Sequence, residues 1–170
     1  MQEFRFDLVD DGTFCLSRYT GDEAHVVIPE TNCGGRITIL FDRLFLGHTE
    51  LESVKIPDTV TDMGEFMFEG CEKLRHIELP SHLEHLWGYT FFRCGIEEII
   101  LPDKLMSIPP FAFKDCKNLK RVVCGKGLWK VHSWAFGGCD QLTEFIHGDN
   151  VIISPQAFED KEVNTYKSKL

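Results

Sequence analysis

The chain has 170 residues, a net charge of −9 and a sequence pI near 5.2. A length of this kind normally forms one domain, and the acidic balance argues against nucleic acid and against an anionic membrane surface as partners. No apolar run approaches the length of a membrane span, and the first eight residues lack the apolar core of a secretory leader. The sequence as written therefore predicts a cytoplasmic protein without membrane insertion.

The N-terminal segment, residues 1–35, is expected to form a cap with hairpin-like strands. A repeat organises the residues that follow. It is clearest in a Phe that recurs at intervals of 22 or 23 residues: Phe45, Phe68, Phe91, Phe113, Phe136 and Phe158. Fixed positions around each Phe are apolar. Because one copy is too small to enclose a core, the repeat predicts a solenoid of stacked coils, each covering its neighbour.

Each coil carries signals for short strands. The I-x-[LI] segment alternates with period two and predicts one strand per coil, paired in parallel with its neighbours. Pro or Gly follows it and turns the chain. Residues eight to five positions before each Phe indicate a second short strand on the opposite face. The [AM]-F-x-x-C segment is more typical of a single helical or 3₁₀ turn.

The repeated unit, L-x-x-I-x-[LI]-P-x-x-[LV]-x-x-[IL]-x-x-x-[AM]-F-x-x-C, resembles the BspA-like leucine-rich repeat over roughly residues 23–160. The stretch Asp11–Glu30 is similar to the lead-in that often precedes such arrays. The resemblance implies a single-domain, β-rich, right-handed leucine-rich-repeat superhelix. Short parallel strands would line its concave face, and short strands or 3₁₀ turns its convex face. Five to six repeats are expected over residues 36–160, and a C-terminal cap or tail over 161–170.

Two departures from the repeat are visible. The third repeat lacks one residue after Cys94, and the last unit has Lys161 where the others have Cys. We interpret the second departure as the start of a polar C-terminal cap, which solenoids need.

Four of the seven cysteines recur three residues after a Phe: Cys71, Cys94, Cys116 and Cys139. Zinc requires four converging ligands, usually from closely spaced pairs, whereas these cysteines would lie one per coil along a line. Parallel Cβ vectors also disfavour disulfides between adjacent coils. The pattern predicts a structural column of buried thiols, with no metal site and no cofactor.

Other residues that could carry chemistry have simpler explanations. His82 and His85 form an H-x-x-H pair, but Leu83 and Leu86 are expected to be buried, so the two imidazoles should face solvent. No nucleophile elbow, phosphate-binding loop or metalloprotease motif occurs, and no pair of carboxylates converges. The chain is therefore predicted not to be an enzyme, with no catalytic residues.

An aromatic column lies two residues before the recurring Phe. It predicts four stacked rings on the outer surface, which could form a binding platform but more simply shield the backbone: Phe66, Tyr89, Phe111 and Trp134. Trp87 and Trp129 are expected to be partly exposed nearby.

The outward positions of the predicted I-x-[LI] strands form the candidate binding surface. One column contains three successive aliphatic residues, with charged residues beside them. Such a row either reflects β propensity alone or forms an apolar patch for an interaction. The candidate partner-binding residues are Lys55, His76, Glu78, Glu98, Ile100, Arg121, Val123, Glu144 and Ile146.

These observations predict a non-catalytic interaction module that binds an unidentified protein through the concave strand face. The same patch could instead join two copies of the chain in a homodimer. The family resemblance implies an alternative, a cell-surface or secreted adhesin that binds host matrix proteins, which would require a leader removed from the sequence as written.

Overall fold

A computed structural model describes residues 2–159, 161 and 163–167. Within these residues the chain forms a β-solenoid of about six turns, as the repeat predicts, and contains no helix. The strands are β1 Glu3–Leu8, β2 Phe14–Thr20, β3 His25–Val27, β4 Thr31–Asn32, β5 Gly35–Leu40, β6 Ser53–Lys55, β7 Asp62–Met63, β8 His85–Leu86, β9 Glu98–Ile100, β10 Ser107–Ile108, β11 Arg121–Val123, β12 Lys130–Val131, β13 Glu144–His147, β14 Ile152–Ile153 and β15 Asn164–Lys167.

Two rows of parallel strands run along the solenoid. The first strand row comprises β3 paired with β6, and β9, β11, β13 and β15 paired in that order. The second strand row comprises β5, β7 and β8, followed by β10, β12 and β14. In β6, β9 and β11 of the first row the middle residue is buried and its neighbours point outward. This alternation is the period of two that the sequence shows.

An antiparallel hairpin of β1 and β2 covers the N-terminal end of the array. β2 then pairs in parallel with β5, the first strand of the second row. The division into a cap at 1–35, repeats at 36–160 and a tail at 161–170 remains our proposal. Of that tail, residues 162 and 168–170 lie outside the described part of the chain.

The recurring Phe forms the centre of the core. Phe45, Phe68, Phe91, Phe113 and Phe136 are fully buried, and successive rings stack with centroids 5.1–5.4 Å apart. Phe158 continues the stack at 5.5 Å and is half-buried. Each ring thus covers the ring of the next coil, which is why no coil is stable alone.

The chain turns at each core Phe through residues with positive φ. One lies two positions before the Phe, as at Tyr89 with φ 59°, and another two positions after it, as at Asp115 with φ 59°. The i→i−3 hydrogen bonds of a tight turn are present, for example from Cys116 N–H to Phe113 O at 3.2 Å. Positive φ on both sides prevents the predicted helical or 3₁₀ turn from forming.

These Phe turns also form a third ladder between coils. The N–H of Phe91 donates to the carbonyl of Ala112 at 2.8 Å, and the N–H of Phe113 donates to that of Ala135 at 2.8 Å. The same bond joins Phe68 to Thr90 at 2.7 Å. The ladder crosses every coil from Phe45 to Phe136, whereas both strand rows are interrupted.

The prediction of one first-row strand in every coil is wrong at residues 76–79, which form no strand. The second row is interrupted nearby, between β8 and β10. The shortened corner after Cys94 lies beside these interruptions. Gly95 lies against the preceding coil so closely that a Cβ there would be 2.1 Å from the Glu72 carbonyl oxygen. Between these two coils, the last backbone hydrogen bond on this side joins Glu97 N–H to Arg75 O at 3.0 Å. Residues 76–79, which follow, donate no backbone hydrogen bond to a described residue.

The outer aromatic column has three stacked rings instead of the predicted four. Phe66, Tyr89 and Phe111 stack at 4.7 and 4.8 Å. The indole of Trp134 lies instead over Gly137, where a built Cβ would be 3.1 Å from its Cε3. The equivalent position in other coils carries a side chain, so only this coil leaves space for the ring to fold down.

Candidate interaction surface

The outward side chains of β9, β11 and β13 form two parallel columns. Register places Arg121 between Glu98 and Glu144, and Val123 between Ile100 and Ile146. One column is therefore charged and the other aliphatic, and they lie two residues apart on the same strands. These six residues are brought together as the sequence predicts.

Arg121 links the charged column. Its guanidinium donates to Glu98 Oε1 at 2.9 Å and to Glu144 Oε2 at 3.1 Å. All three side chains are substantially exposed, so the two ion pairs contribute little to folding stability. Their effect is to hold three charged groups in fixed positions beside the aliphatic column.

The aliphatic column is more buried at one end than the other. Ile100 is 62% exposed, whereas Val123 and Ile146 are half-buried. On the side away from Val123, Ile100 has no neighbouring strand and lies beside residues 76–79, where the first strand row is interrupted. A groove of about 450 Å³ lies there, lined by Ile77, Leu79, Ile100 and Pro102 together with polar residues. The exposed apolar surface therefore extends beyond the strands themselves.

Of the other three predicted residues, Lys55 lies apart from this cluster, whereas His76 and Glu78 line the groove beside Glu98 and Ile100. Lys55 ends β6, which pairs only with β3, and the interruption at residues 76–79 separates it from β9. His76 and Glu78 are exposed but stand on a segment without strand pairing. Sequence reasoning also missed Val27, which is exposed and in register with Lys55. Its short H-V-V strand precedes the first recognisable copy of the repeat.

The geometry of the cysteine column indicates a structural role. All seven cysteines are free, and the four in the column are buried. Each thiol lies near a carbonyl of the preceding coil: Cys116 Sγ is 2.9 Å from Phe91 O and Cys139 Sγ is 3.0 Å from Phe113 O. Burial raises the pKa of the Cys94 thiol to about 12. A buried, protonated thiol is neither a good nucleophile nor a metal ligand.

Lys161 occupies the position of Cys in the last coil. Its ammonium donates to the carbonyl oxygens of Cys139, at 3.1 Å, and of Asp140. Lys161 thus donates hydrogen bonds to carbonyls of the preceding coil, as the thiol does in the other coils.

The H-x-x-H pair is solvent-facing, as predicted. His82 lies 3.2 Å from Asp58 and His85 lies 3.1 Å from Asp62, each on the preceding coil. Among the described residues, no three His, Cys, Asp or Glu side chains are grouped so that they could hold a metal ion. Nor does any helix in this part of the chain have the length and apolarity to cross a membrane.

Comparison with known proteins agrees with this architecture. The family model for the BspA type leucine rich repeat region matches residues 38–164 in six copies. The crystal structure of a leucine rich repeat protein from T. pallidum has a TM-score of 0.81 and 26% sequence identity, and the match covers 96% of this chain and 83% of that one. No curated protein matches the chain.

Two further structures share the fold at lower identity. A leucine rich cell surface protein from Faecalibacterium prausnitzii has a TM-score of 0.70 and 22% identity, over 98% of this chain and 55% of that one. A leucine-rich repeat protein from Eubacterium ventriosum has a TM-score of 0.73 and 20% identity, over 97% and 52%. This chain spans about half the length of these two proteins.

Proposed function

Because the chain belongs to the BspA-type leucine-rich-repeat family, whose repeats generally mediate protein interactions, we propose that it binds a protein partner through the outward face of β9, β11 and β13. The single observation that carries the proposal is the register of Ile100, Val123 and Ile146 beside the fixed trio of Glu98, Arg121 and Glu144. An exposed aliphatic row next to positioned charges suits a protein surface with an apolar centre and polar rim.

Ile100 is expected to be the most important contact, because it is the most exposed aliphatic residue of the row. Lys55, His76 and Glu78 lie further along the same side and extend the proposed surface across the interrupted segment. The partner would cover the groove at residues 76–79, where both Ile77 and Leu79 are half-buried. A second copy of the chain is one possible occupant, and the proposal needs no cofactor or catalytic residue.

The test is a pair of matched substitutions. Ile100→Glu places a charge in the proposed surface, whereas Ile152→Glu makes the same change at a residue with similar exposure, 60% against 62%, on β14 of the second strand row. Wild type and both variants would be compared by affinity capture with identification of the bound proteins, and by light scattering. We expect the same partner, or a dimer, with wild type and with Ile152→Glu, and its loss with Ile100→Glu. A partner that Ile100→Glu retains would refute this surface.

A location outside the cell is the alternative that one structural neighbour suggests, since the F. prausnitzii protein is described as a cell surface protein. An adhesin for host matrix proteins would be its corresponding function. Seven free cysteines favour a reducing compartment instead. Fractionation of the source cells with an antibody against the chain would decide, and recovery from the surface fraction would favour the adhesin.

A further inference from the structure

Two exposed aromatic rings flank a glycine at the ends of three successive second-row strands. Phe41, Gly64 and Trp87 each follow the last residue of β5, β7 and β8. Their register is fixed by hydrogen bonds from Gly64 N–H to Leu40 O at 2.9 Å and from Trp87 N–H to Met63 O at 3.1 Å. Phe41 is 54% exposed and Trp87 is 53% exposed. Neither ring has a stacking partner among the described residues.

Gly64 adds only backbone to the wall of the space between the two rings, which we call the slot. A Cβ at Gly64 would lie 2.5 Å from Asp42 Oδ1 and 2.6 Å from the Asp42 backbone nitrogen, so no side chain fits there. Phe41 and Trp87 are two coils apart, and one coil step is 5.2–5.4 Å in the neighbouring Phe stack. A cavity of about 490 Å³ occupies this position, with Phe41 and Trp87 among its walls. Two coil steps leave room for one flat or slender group between the rings.

The rim of the slot is acidic. Asp42, Asp62 and Glu65 line the cavity, and none of its lining residues is cationic. Asp42 accepts a hydrogen bond from Glu65 N–H at 2.8 Å, and Asp62 accepts one from the Thr61 hydroxyl at 2.7 Å. The Glu65 carboxylate makes no hydrogen bond or ion pair within the described chain, so it is available to a ligand.

Three other rings carry a cation from their own chain, the exposed Trp129 and the half-buried Phe66 and Phe92. The guanidinium of Arg43 lies 5.6 Å from the Phe66 centroid, that of Arg93 lies 4.6 Å from the Phe92 centroid, and the Lys130 ammonium lies 5.7 Å from the Trp129 ring. Phe41 and Trp87 have no such cation among the described residues, although three carboxylates line the same cavity. His85 lies 3.1 Å from Asp62 at this rim, but the Glu65 carboxylate and the two rings have no cation beside them among the described residues. The slot therefore combines two aromatic faces with a carboxylate that no cation of the described chain occupies.

We propose that the slot between Phe41 and Trp87 binds an organic cation on an apolar stem, of the kind that an arginine or lysine side chain presents. The stem would lie between the rings over Gly64, and the charged end would reach the carboxylates at the rim. Aromatic rings attract a cation through their negative faces, and a carboxylate adds a charge-assisted hydrogen bond. This site is separate from the face of β9, β11 and β13 and does not depend on the function proposed for it.

The indole N–H resonance of Trp87 gives a direct measurement. The chain has three Trp residues, so the Trp87 signal can be assigned with Trp87→Phe. The full chain would be titrated with the N-acetyl methylamides of arginine and lysine and with choline, at constant ionic strength. The methylamide of N-acetylcitrulline is a neutral isostere of the arginine compound, and methyl glucoside tests for a sugar instead. We expect a saturable shift of the Trp87 signal with the cations and none with the neutral compounds. A stronger response to choline than to the amino-acid amides would assign the slot to small quaternary ammonium compounds rather than to side chains of a partner protein, within the same cation chemistry.

Variants distinguish the slot from the rest of the surface. Phe41→Ala and Glu65→Gln should each weaken cation binding by roughly tenfold, while Trp129→Ala should leave it unchanged. Both variant positions are exposed, and far-ultraviolet circular dichroism would verify folding; if Phe41→Ala were unfolded, Glu65→Gln would remain the test. Equal shifts with citrulline and arginine, a response to the glucoside alone, no saturable shift, or wild-type affinity in Glu65→Gln would overturn the proposal.

Discussion

The thiol of Cys116 donates to the carbonyl oxygen of Phe91 in the preceding coil, over a distance of 2.9 Å. The same carbonyl also accepts the N–H of Cys94 at 3.0 Å. A carbonyl inside the core thus receives both of its hydrogen bonds without water. The arrangement requires the thiol to be protonated, and this requirement makes the stability of the protein depend on pH.

We expect the free energy of unfolding to fall as the pH rises above about 9. Burial raises the pKa of Cys15 to about 11 and that of Cys94 and Cys124 to about 12, from an ordinary value of 9.0, and it raises those of Cys71 and Cys116 as well. Thiols of the unfolded chain ionise first, so unfolding releases protons and high pH favours it. The stabilisation is complete below pH 9 and is lost as the pH rises toward the folded pKa values.

Urea unfolding at pH 8 and pH 10 with reductant present would measure this loss, which should be about 1.4 kcal/mol for each of these five thiols at one unit above its unfolded pKa. Cys94→Ala should reduce the difference between the two pH values. Substitution of the exposed Cys33 is the matched control and should not alter it. An identical difference in wild type and Cys94→Ala would contradict the prediction.

Phe113→Ala should cost about 3–5 kcal/mol of unfolding free energy, because it removes a fully buried ring from the middle of the stack. It may be compared with Phe41→Ala, an exposed Phe outside the stack, whose effect should stay within about 0.5 kcal/mol. Since Phe113 contacts rings on both sides, the unfolding transition should also broaden or divide in two. A melting temperature within a degree or two of wild type would show that the ring does not support the core.

Gly95→Ala should destabilise the protein by about 1–3 kcal/mol. Its new Cβ would lie 2.1 Å from a backbone carbonyl oxygen, and backbone cannot move aside as a flexible side chain can. Gly148→Ala is the control, since nothing lies within 4 Å of a Cβ there, and it should be neutral or slightly stabilising. Equal unfolding free energies for the two variants would mean that the shortened corner is not tightly closed.

Hydrogen exchange should be fast at residues 76–79. Their four N–H groups donate to no described backbone or side-chain acceptor, whereas Ile99 and Val122 lie within paired strands. Exchange measured by mass spectrometry or NMR should therefore show an unprotected segment inside an otherwise protected array. Protection at residues 76–79 equal to that of β9 and β11 would mean that this segment is paired as a further strand of the first row.

Much of this architecture could be predicted from the sequence because each coil has the same residue types at the same positions. The buried Phe column, the thiol column and the two strand rows each follow from a residue type that recurs at the same position. The pairing of Glu98, Arg121 and Glu144 followed in turn from stacking the strands in register. Repetition thus fixes every feature that neighbouring coils share.

Features of a single coil were harder to predict. The missing residue after Cys94 was visible in the sequence, but the close approach of Gly95 to Glu72 and the unpaired segment at residues 76–79 were not. Trp134 lies outside the aromatic stack because Gly137 leaves space for its indole. That depends on side-chain packing, which the repeat pattern does not show. The slot at Phe41 and Trp87 could not be predicted, because the column that contains these two residues has a different residue in each coil.

The near-identical stacking of one core Phe on the next has a genetic consequence. Any coil presents the same ring to its neighbour at nearly the same spacing, so an in-frame duplication or deletion of a whole coil would leave two compatible surfaces in contact. Unequal recombination between copies could therefore lengthen or shorten the gene while the protein still folds. Selection would then act mainly on which outward residues such an event brings side by side.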